Sequence, residues 1–215
     1  MKVFILSIFL LGFSFSSLAQ KKFEFGIKGG LSIVDLKDID VPENWPFPNV
    51  QFRFSYHIGG FSQYPVSDKI DMQGGLFFSS QGGSWDAEFV DENSVISTDR
   101  INFVYNYLNL PLLLKYNFSK SWSIKTGPQI GFLLSADIKN QYAFVDGVQI
   151  NFDSDVKDAI NSIDLSWSLE AGYEFKTGLL VDVTYSLGLS NTIDAESSGF
   201  KRKNQVFQLS LGYKF

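Results

Sequence analysis

The chain has 215 residues, which suits one domain, and 45% of them are hydrophobic, 16% aromatic and 19% charged. This composition excludes a disordered tail, a collagen-like chain and a coiled coil. The net charge of −5 argues against a nucleic-acid-binding protein, because such proteins carry a basic surface. The sequence has no cysteine, so it has no disulfide or thiol nucleophile, and its single histidine, His57, excludes a multi-histidine metal site.

Residues 1–19 have the features of a cleaved secretory signal peptide. Lys2 precedes an apolar run over residues 3–15, and Ser17 and Ala19 form a small-residue cleavage pattern before Gln20. The apolar run is too short for a transmembrane helix. We therefore predict a mature chain of residues 20–215 that forms a single domain.

Eight segments of the remaining chain alternate apolar and polar residues with the period of a β-strand. In chain order they cover residues 23–33, 51–58, 70–79, 101–118, 122–135, 163–175, 179–190 and 205–215. Phe77 interrupts the alternation of the third segment. In the fourth segment the apolar residues are odd-numbered from Ile101 to Tyr107 and even-numbered from Leu108 onward. This change predicts a β-bulge near Tyr107 or Leu108, which would keep all of these residues on one face.

Short and long connections alternate between the predicted strands. The short connections are residues 64–69, 117–121 and 176–178. The long ones are residues 34–50, 81–100, 136–162 and 191–204, and a helical turn is predicted within 155–161. An even number of strands with short turns at one end and long loops at the other is typical of an outer-membrane barrel. We therefore predict an all-β, eight-stranded antiparallel up-and-down transmembrane β-barrel with both termini in the periplasm.

The distribution of aromatic residues favours a membrane barrel over a soluble one. A lipocalin-type barrel has a similar strand pattern but points its apolar face inward. In this chain, aromatic residues cluster at the short-turn ends of the apolar face, where rings would lie at the level of the lipid headgroups. They are Phe23, Phe25, Tyr116, Phe118, Trp122, Tyr173, Phe175, Tyr213 and Phe215. The apolar face is therefore expected to contact lipid.

The opposite face carries charges of both signs, which we expect to pair inside the barrel. The predicted lumen network comprises Glu24, Lys28, Arg53, Asp71, Lys115, Lys125, Glu170, Glu174 and Asp182. Asp164 and Lys214 lie on the same face. Side chains are enough to fill an eight-stranded barrel, so this pattern predicts a plugged lumen, with a narrow solute or proton path as the alternative.

The four long loops are acidic, and one of them carries aromatic residues between prolines. They hold 16 of the 23 acidic residues and seven of the 18 basic ones. Such a rim is either a solvated surface or a site for divalent cations that bridge lipopolysaccharide. Pro42, Pro46 and Pro48 restrict the backbone around Trp45 and Phe47. These two rings either cap the barrel or anchor a protein partner.

A lipid-modifying enzyme is an alternative class of protein. His57 could act as a base beside Ser55, with Asp71 orienting the imidazole ring. A lone inward histidine among charged residues is more typical of packing, so we expect no catalytic residue, cofactor or metal ion. The sequence also contains no phosphate-binding glycine loop and no dinucleotide fingerprint.

Several motifs distributed over the chain carry a family resemblance. They are Ser17-Leu18-Ala19-Gln20, Phe25-Gly26-Ile27-Lys28-Gly29-Gly30-Leu31-Ser32, Tyr107-Leu108-Asn109-Leu110-Pro111-Leu112-Leu113-Leu114-Lys115-Tyr116, Gly127-Pro128-Gln129-Ile130-Gly131 and Leu211-Gly212-Tyr213-Lys214-Phe215. With these motifs the chain resembles the PorT-like outer-membrane β-barrel family of Bacteroidota. Asn109 stands where that family often has Glu. The residues Gly212, Tyr213 and Phe215 resemble the signal that the barrel-assembly machinery recognises.

The resemblance implies an outer-membrane location, and some relatives serve type IX secretion and gliding. We therefore expect a structural, adhesive or secretion-accessory protein that acts through its long extracellular loops. The expected partners are outer-membrane lipid and lipopolysaccharide, the barrel-assembly machinery, and a secretion or surface protein, with no nucleic acid. A lipid-modifying enzyme using His57 and a narrow solute channel are the alternatives.

The first testable prediction concerns processing. The mature protein should begin at Gln20 and fractionate with the outer membrane, because the signal peptide is removed and the apolar face requires lipid. N-terminal sequencing and intact mass of the extracted protein measure this. Recovery of the protein in the soluble periplasm after osmotic shock would contradict the barrel prediction.

Overall fold

The computed structural model describes residues 22–39, 51–90, 96–145, 148–193 and 201–215. These residues contain nine antiparallel strands: β1 (Glu24–Ile39), β2 (Arg53–Pro65), β3 (Ile70–Val90), β4 (Ile96–Asn117), β5 (Trp122–Val145), β6 (Val148–Asp155), β7 (Ile163–Glu174), β8 (Leu179–Gly188) and β9 (Lys201–Lys214). All except β6 form a closed ring, in which β5 pairs with β7 and β9 pairs with β1. The ring confirms the predicted eight-stranded up-and-down barrel. The predicted signal peptide, Trp45 and Phe47 lie outside the described residues.

The two ends of the barrel differ in their connections. At one end β2–β3, β4–β5 and β7–β8 are joined by tight turns, and Gly178 adopts a φ of 87° in the last of them. At the other end β6 pairs with the far part of β5, so part of the predicted third long loop is a hairpin. A 3-10 helix, Lys157–Ala159, follows β6 and confirms the predicted helical turn. Within the described ranges, no helix is long and apolar enough to cross a membrane.

The outer surface of the ring is apolar over a continuous belt. In β7 and β8 the residues alternate between exposed apolar and buried polar, as predicted. At the short-turn end the aromatic residues contact one another on this surface, with ring centroids 4.9 Å apart for Trp122 and Tyr173 and 5.0 Å apart for Phe23 and Tyr64. Beyond the belt, the exposed residues at the other end include Lys37 and Lys201. These features are those of a barrel whose apolar belt lies in a bilayer.

The register between β4 and β5 shifts at Asn106 and Tyr107, where a bulge is predicted, but the predicted strand and face are wrong. The odd-numbered residues of β4 remain buried from Ile101 to Lys115, so the strand does not change face. The register shift lies on the partner strand, because Asn106 pairs with Ser135 while Tyr107 pairs with Leu133. The extra residue therefore belongs to β5, and the apolar residues Ile101 to Tyr107 point into the barrel instead of toward lipid.

These inward residues form an apolar cluster, here called the plug, in the long-loop half of the barrel. The plug consists of Leu36, Phe103, Tyr105, Tyr107, Leu133, Ala136 and Ile160. Ile160 belongs to the segment after the 3-10 helix and is only 6% exposed. Asn161 holds this segment in place, because its side chain donates to the carbonyls of Asn191, at 2.8 Å, and Ile193, at 3.1 Å. The returning loop segment therefore covers the mouth of the barrel.

The second prediction concerns the last residue. The Phe215 N–H donates to the Phe25 carbonyl at 2.9 Å, and the Phe215 ring contacts Tyr213 with centroids 5.5 Å apart. Deleting Phe215 should lower the yield of folded protein, because the closing strand loses its terminal bond to β1 and its aromatic signal. The measurement is the fraction of heat-modifiable protein on gels. Phe175→Ala, which removes an aromatic residue from the same rim, is the control. Unchanged assembly after the deletion would remove the proposed role in insertion.

Candidate functional site

The centre of the lumen contains four charged side chains, here called the quartet, from four different strands. Lys28 of β1 lies 2.7 Å from Glu170 of β7 and 3.2 Å from Asp182 of β8. Lys125 of β5 lies 2.5 Å from Glu170 and 3.0 Å from Asp182. Thr184 donates a further hydrogen bond to Glu170 at 2.8 Å. Each lysine therefore contacts both carboxylates, and the four charges sum to zero.

Burial makes the pairing in the quartet obligatory. The side chains are between 2% and 7% exposed, so none of the charges is solvated by bulk water. An isolated charge in such a position is strongly destabilising, whereas a paired and hydrogen-bonded one is tolerated. The quartet therefore links β1, β5, β7 and β8 across the barrel.

A second charged cluster lies between the quartet and the short-turn end. Lys214 contacts Glu24 at 3.0 Å and Glu174 at 2.5 Å. Lys115 lies 3.6 Å from Glu174 and 3.8 Å from Asp71. This cluster lines an open vestibule of about 460 Å³ on the short-turn side. Eight of the nine residues of the predicted network thus lie in the quartet or around the vestibule.

Arg53 is the predicted network residue that lies apart from both clusters. Its guanidinium donates to the Ser80 hydroxyl at 3.1 Å and to the Gln81 carbonyl at 2.8 Å. Asn109, where the resembled family often has Glu, is buried on the inner face of β4. The sequence therefore predicted that Arg53 faces the lumen but did not predict its hydrogen-bond partners.

His57, Ser55 and Asp71, the three residues of the alternative catalytic set, have different hydrogen-bond partners. The two ring nitrogens of His57 lie 3.0 Å from the Ser32 hydroxyl and 2.7 Å from the Ser210 hydroxyl. Ser55 donates to the Ser80 carbonyl at 2.6 Å, and Asp71 accepts from Asn117 at 2.8 Å. His57 borders a small chamber of about 30 Å³, which has room for one or two water molecules.

Sequence reasoning did not assign a role to Phe77. Its ring is buried in the lumen, and the Lys28 ammonium lies 5.6 Å from the ring centroid. Gly59 and Gly75 make room for it, because a Cβ at either position would collide with the ring. The interruption of the apolar and polar alternation at Phe77 was the available signal, since an aromatic residue on the polar face must pack inside.

The predicted assembly signal lies at the end of β9, beside the quartet. Gly212 faces inward, and a Cβ there would lie 2.7 Å from the Lys28 Cβ. Tyr213 and Phe215 face outward, where they are 45% and 74% exposed. The terminal residues therefore combine a lipid-facing aromatic pair with a close approach of the backbone to Lys28.

A closed ring of strands with an apolar outer belt and a polar interior defines an integral β-barrel membrane protein. The family model described as "Outer membrane protein beta-barrel domain" matches residues 15–194 of the sequence, and the chain belongs to that family. The protein is accordingly located in the outer membrane.

Several solved outer-membrane proteins are similar to this chain at low sequence identity. The attachment invasion locus protein Ail of Yersinia pestis is 13% identical, with a TM-score of 0.47, and the match covers 90% of this chain and 99% of Ail. Neisserial surface protein A is 9% identical, with a TM-score of 0.48 and coverage of 88% and 95%. Outer membrane protein W of E. coli is 12% identical, with a TM-score of 0.36 and coverage of 91% and 100%. No curated protein matches the sequence.

The third prediction tests the quartet. Lys125→Met should lower the free energy of unfolding by about 3 to 5 kcal/mol, because it leaves Glu170 and Asp182 buried with one cation between them. Adding Glu170→Gln should recover part of this loss, because Lys28 and Asp182 then balance. Urea titration of the folded barrel in phospholipid vesicles measures both values.

The Asp86–Arg100 pair provides the control for the quartet variants. It lies on β3 and β4 beyond the apolar belt, with the Arg100 side chain 59% exposed. Hydrogen bonds from Arg100 hold the pKa of the Asp86 carboxyl below its usual range. Arg100→Met should cause no measurable change in unfolding, because an exposed pair contributes little. If Lys125→Met also leaves the free energy of unfolding unchanged, the quartet does not stabilise the barrel.

Proposed function

We propose that this chain is a PorT-like outer-membrane scaffold that neither conducts solutes nor catalyses a reaction, and that its extracellular loops bind a secretion or surface protein. The observation that carries the proposal is the filled lumen. The quartet blocks the membrane-embedded half, and the plug fills the extracellular half. With its interior filled, the barrel offers its loops as the surfaces available for function.

The filled lumen argues against the solute channel. The vestibule opens to the periplasm, but its inner wall leads to the quartet, where Lys125 is held by two carboxylates. Above the quartet, the chamber beside His57 has room for only one or two water molecules. A solute would have to displace buried ion pairs and then the aromatic rings of the plug, which carries a large free-energy cost.

The contacts of His57 argue against the lipid-modifying enzyme. A general base must reach both a nucleophile and a substrate, and the substrate here would be a lipid outside the barrel. His57 is 3% exposed, faces the lumen, and is hydrogen-bonded by Ser32 and Ser210 on two different strands. This geometry favours a role in joining β1, β2 and β9.

The extracellular continuation of the strands supports a binding role. β3 and β4 pair without a break from Ser79 and Tyr107 to Val90 and Ile96, well beyond the apolar belt. β5 and β6 form a second arm beside them. Regular strands lose less entropy on binding than flexible loops, so arms of this kind can present contact residues to a partner. Trp45 and Phe47 are the proposed anchors in the first long loop.

The proposed partners follow from this arrangement. Outer-membrane lipid and lipopolysaccharide surround the apolar belt, and the barrel-assembly machinery recognises the terminal residues Gly212, Tyr213 and Phe215. A secretion or surface protein contacts the loops, in keeping with the resemblance to PorT-like proteins. The net charge of −5 argues against nucleic acid as a partner.

The fourth prediction tests the scaffold proposal. Crosslinking on intact cells should capture a surface or secretion protein with the wild-type chain, and Trp45→Ala with Phe47→Ala should reduce its recovery strongly, because anchor residues dominate binding energy. Quantitative mass spectrometry of the crosslinked material measures the change. Phe175→Ala is the matched control, because Phe175 is an exposed aromatic residue at the opposite, short-turn end of the barrel.

Two results would contradict the proposal. If the double variant retains every crosslinked partner, the first loop is not the binding surface. If the purified barrel gives discrete ion conductance in planar bilayers, the lumen is not blocked and the channel alternative is correct.

A further inference from the structure

The backbone hydrogen-bond ladder is interrupted by proline on both edges of β4. Between β3 and β4 the register passes from the pair Gly74 and Leu112 directly to the pair Phe77 and Asn109. Pro111 lies in that gap and has no N–H to donate. Between β4 and β5 the register passes from Pro111 and Gln129 to Leu114 and Thr126. The second gap contains Pro128, which lies opposite Leu112.

The second gap, here called the seam, lies in the middle of the lipid-facing belt. Leu110, Leu112 and Leu114 are all exposed on the outer face of β4, and Leu112 is the central one. Because Pro128 cannot donate, the Leu112 carbonyl lacks its ladder donor from β5. A carbonyl without a donor is costly at this depth, where the bilayer supplies no water. The seam therefore offers a hydrogen-bond acceptor inside an apolar environment.

Cavities lie on both sides of the seam. On the lipid side is a depression of about 320 Å³, and on the lumen side is the chamber of about 30 Å³. The lining of the depression includes Met72, Leu112, Leu113, Leu114, Thr126 and Trp167. Leu113 also lines the chamber and therefore borders both spaces.

The lining of the two cavities defines the chemistry of a ligand. Trp167 donates to the Thr126 hydroxyl at 2.9 Å, and Thr126 donates to the Ser168 carbonyl at 3.0 Å, so the polar groups of the depression satisfy one another and its walls are apolar. The chamber is polar, but its charged groups Lys28 and Glu170 are already paired. The apolar walls of the depression suit an apolar chain, and the Leu112 carbonyl suits an uncharged hydrogen-bond donor.

We propose that the seam binds a free single-chain amphiphile with a terminal hydroxyl group, dissolved in the bilayer. The chain lies in the depression against Met72, Leu114 and Trp167, and the hydroxyl donates to the Leu112 carbonyl beside the chamber. Binding involves no covalent step. This site is separate from the extracellular loops, so the test of this proposal does not depend on the scaffold proposal.

The experiment uses the folded barrel in phosphatidylcholine vesicles with a diazirine-bearing hexadecanol as the probe. After photolysis, peptide mapping by mass spectrometry should place the label mainly on residues 112–114 and 126–128. Pro128→Ala should reduce that labelling about fivefold, because the restored N–H competes for the Leu112 carbonyl with the strength of one net hydrogen bond. Pro65→Ala, the same change at the end of β2, should leave the labelling unchanged.

A second variant and a second probe separate the proposal from general contact with lipid. Leu113→Phe enlarges a residue that borders both the depression and the chamber and should also lower labelling, and heat-modifiable migration confirms that each variant is folded. The matched probe is a diazirine-bearing hexadecane without the hydroxyl group, which should label the seam weakly. Equal labelling by the two probes, uniform labelling of the outer belt, or no effect of Pro128→Ala would each overturn the proposal.

Discussion

The structure depends on one constraint, which is that a bilayer offers no hydrogen-bond partners to a polypeptide backbone. Eight strands satisfy this constraint by closing on themselves through the β1–β9 ladder, which runs from Gly26 with Lys214 to Ile39 with Lys201. Closure then assigns every second residue to lipid and every other residue to the lumen. Because an eight-stranded ring is narrow, its inward side chains must fill the space and satisfy one another. The ion pairs of the interior follow from that requirement.

The interior changes character along the barrel axis. Within the lipid-facing belt most inward residues are polar or charged, as in the quartet and the vestibule, and a small apolar cluster of Phe61, Phe77 and Leu180 packs among them. Beyond the belt they become apolar, as in the plug around Tyr105 and Ile160. The reason is that the outer face of the wall meets water there and can carry the polar residues, so the inner face can form a core like that of a soluble β-protein.

Sequence periodicity was sufficient for the eight strands of the ring, their order and most of their faces, but it did not predict β6, which lies in the predicted third long loop. It failed between Ile101 and Tyr107, because a period of two defines two faces but does not say which one meets lipid. The prediction assumed that apolar residues always face the bilayer, which ceases to hold where the strands leave it. The extra residue that shifts the register belongs to β5, at a position where the sequence has only a run of apolar residues.

The candidate site was predictable only in part, for a related reason. Alternation places Lys28, Lys125, Glu170 and Asp182 inside, but which of them meet depends on the tilt and stagger of strands distant in sequence. Arg53 shares their face and lies in another layer, beside Ser80 and Gln81. The role of Pro128 at the seam could be recognised only once the register placed it opposite Leu112.

The plug gives the two halves of the barrel different responses to temperature. Unfolding of the plug exposes apolar surface, which raises the heat capacity, whereas exposure of polar and charged groups lowers it. The long-loop half, held by Phe103, Tyr105 and Ile160, therefore contributes the curved stability profile of a water-soluble core. The quartet contributes a heat-capacity change of the opposite sign. The curvature of the stability of the barrel with temperature therefore comes from the plug.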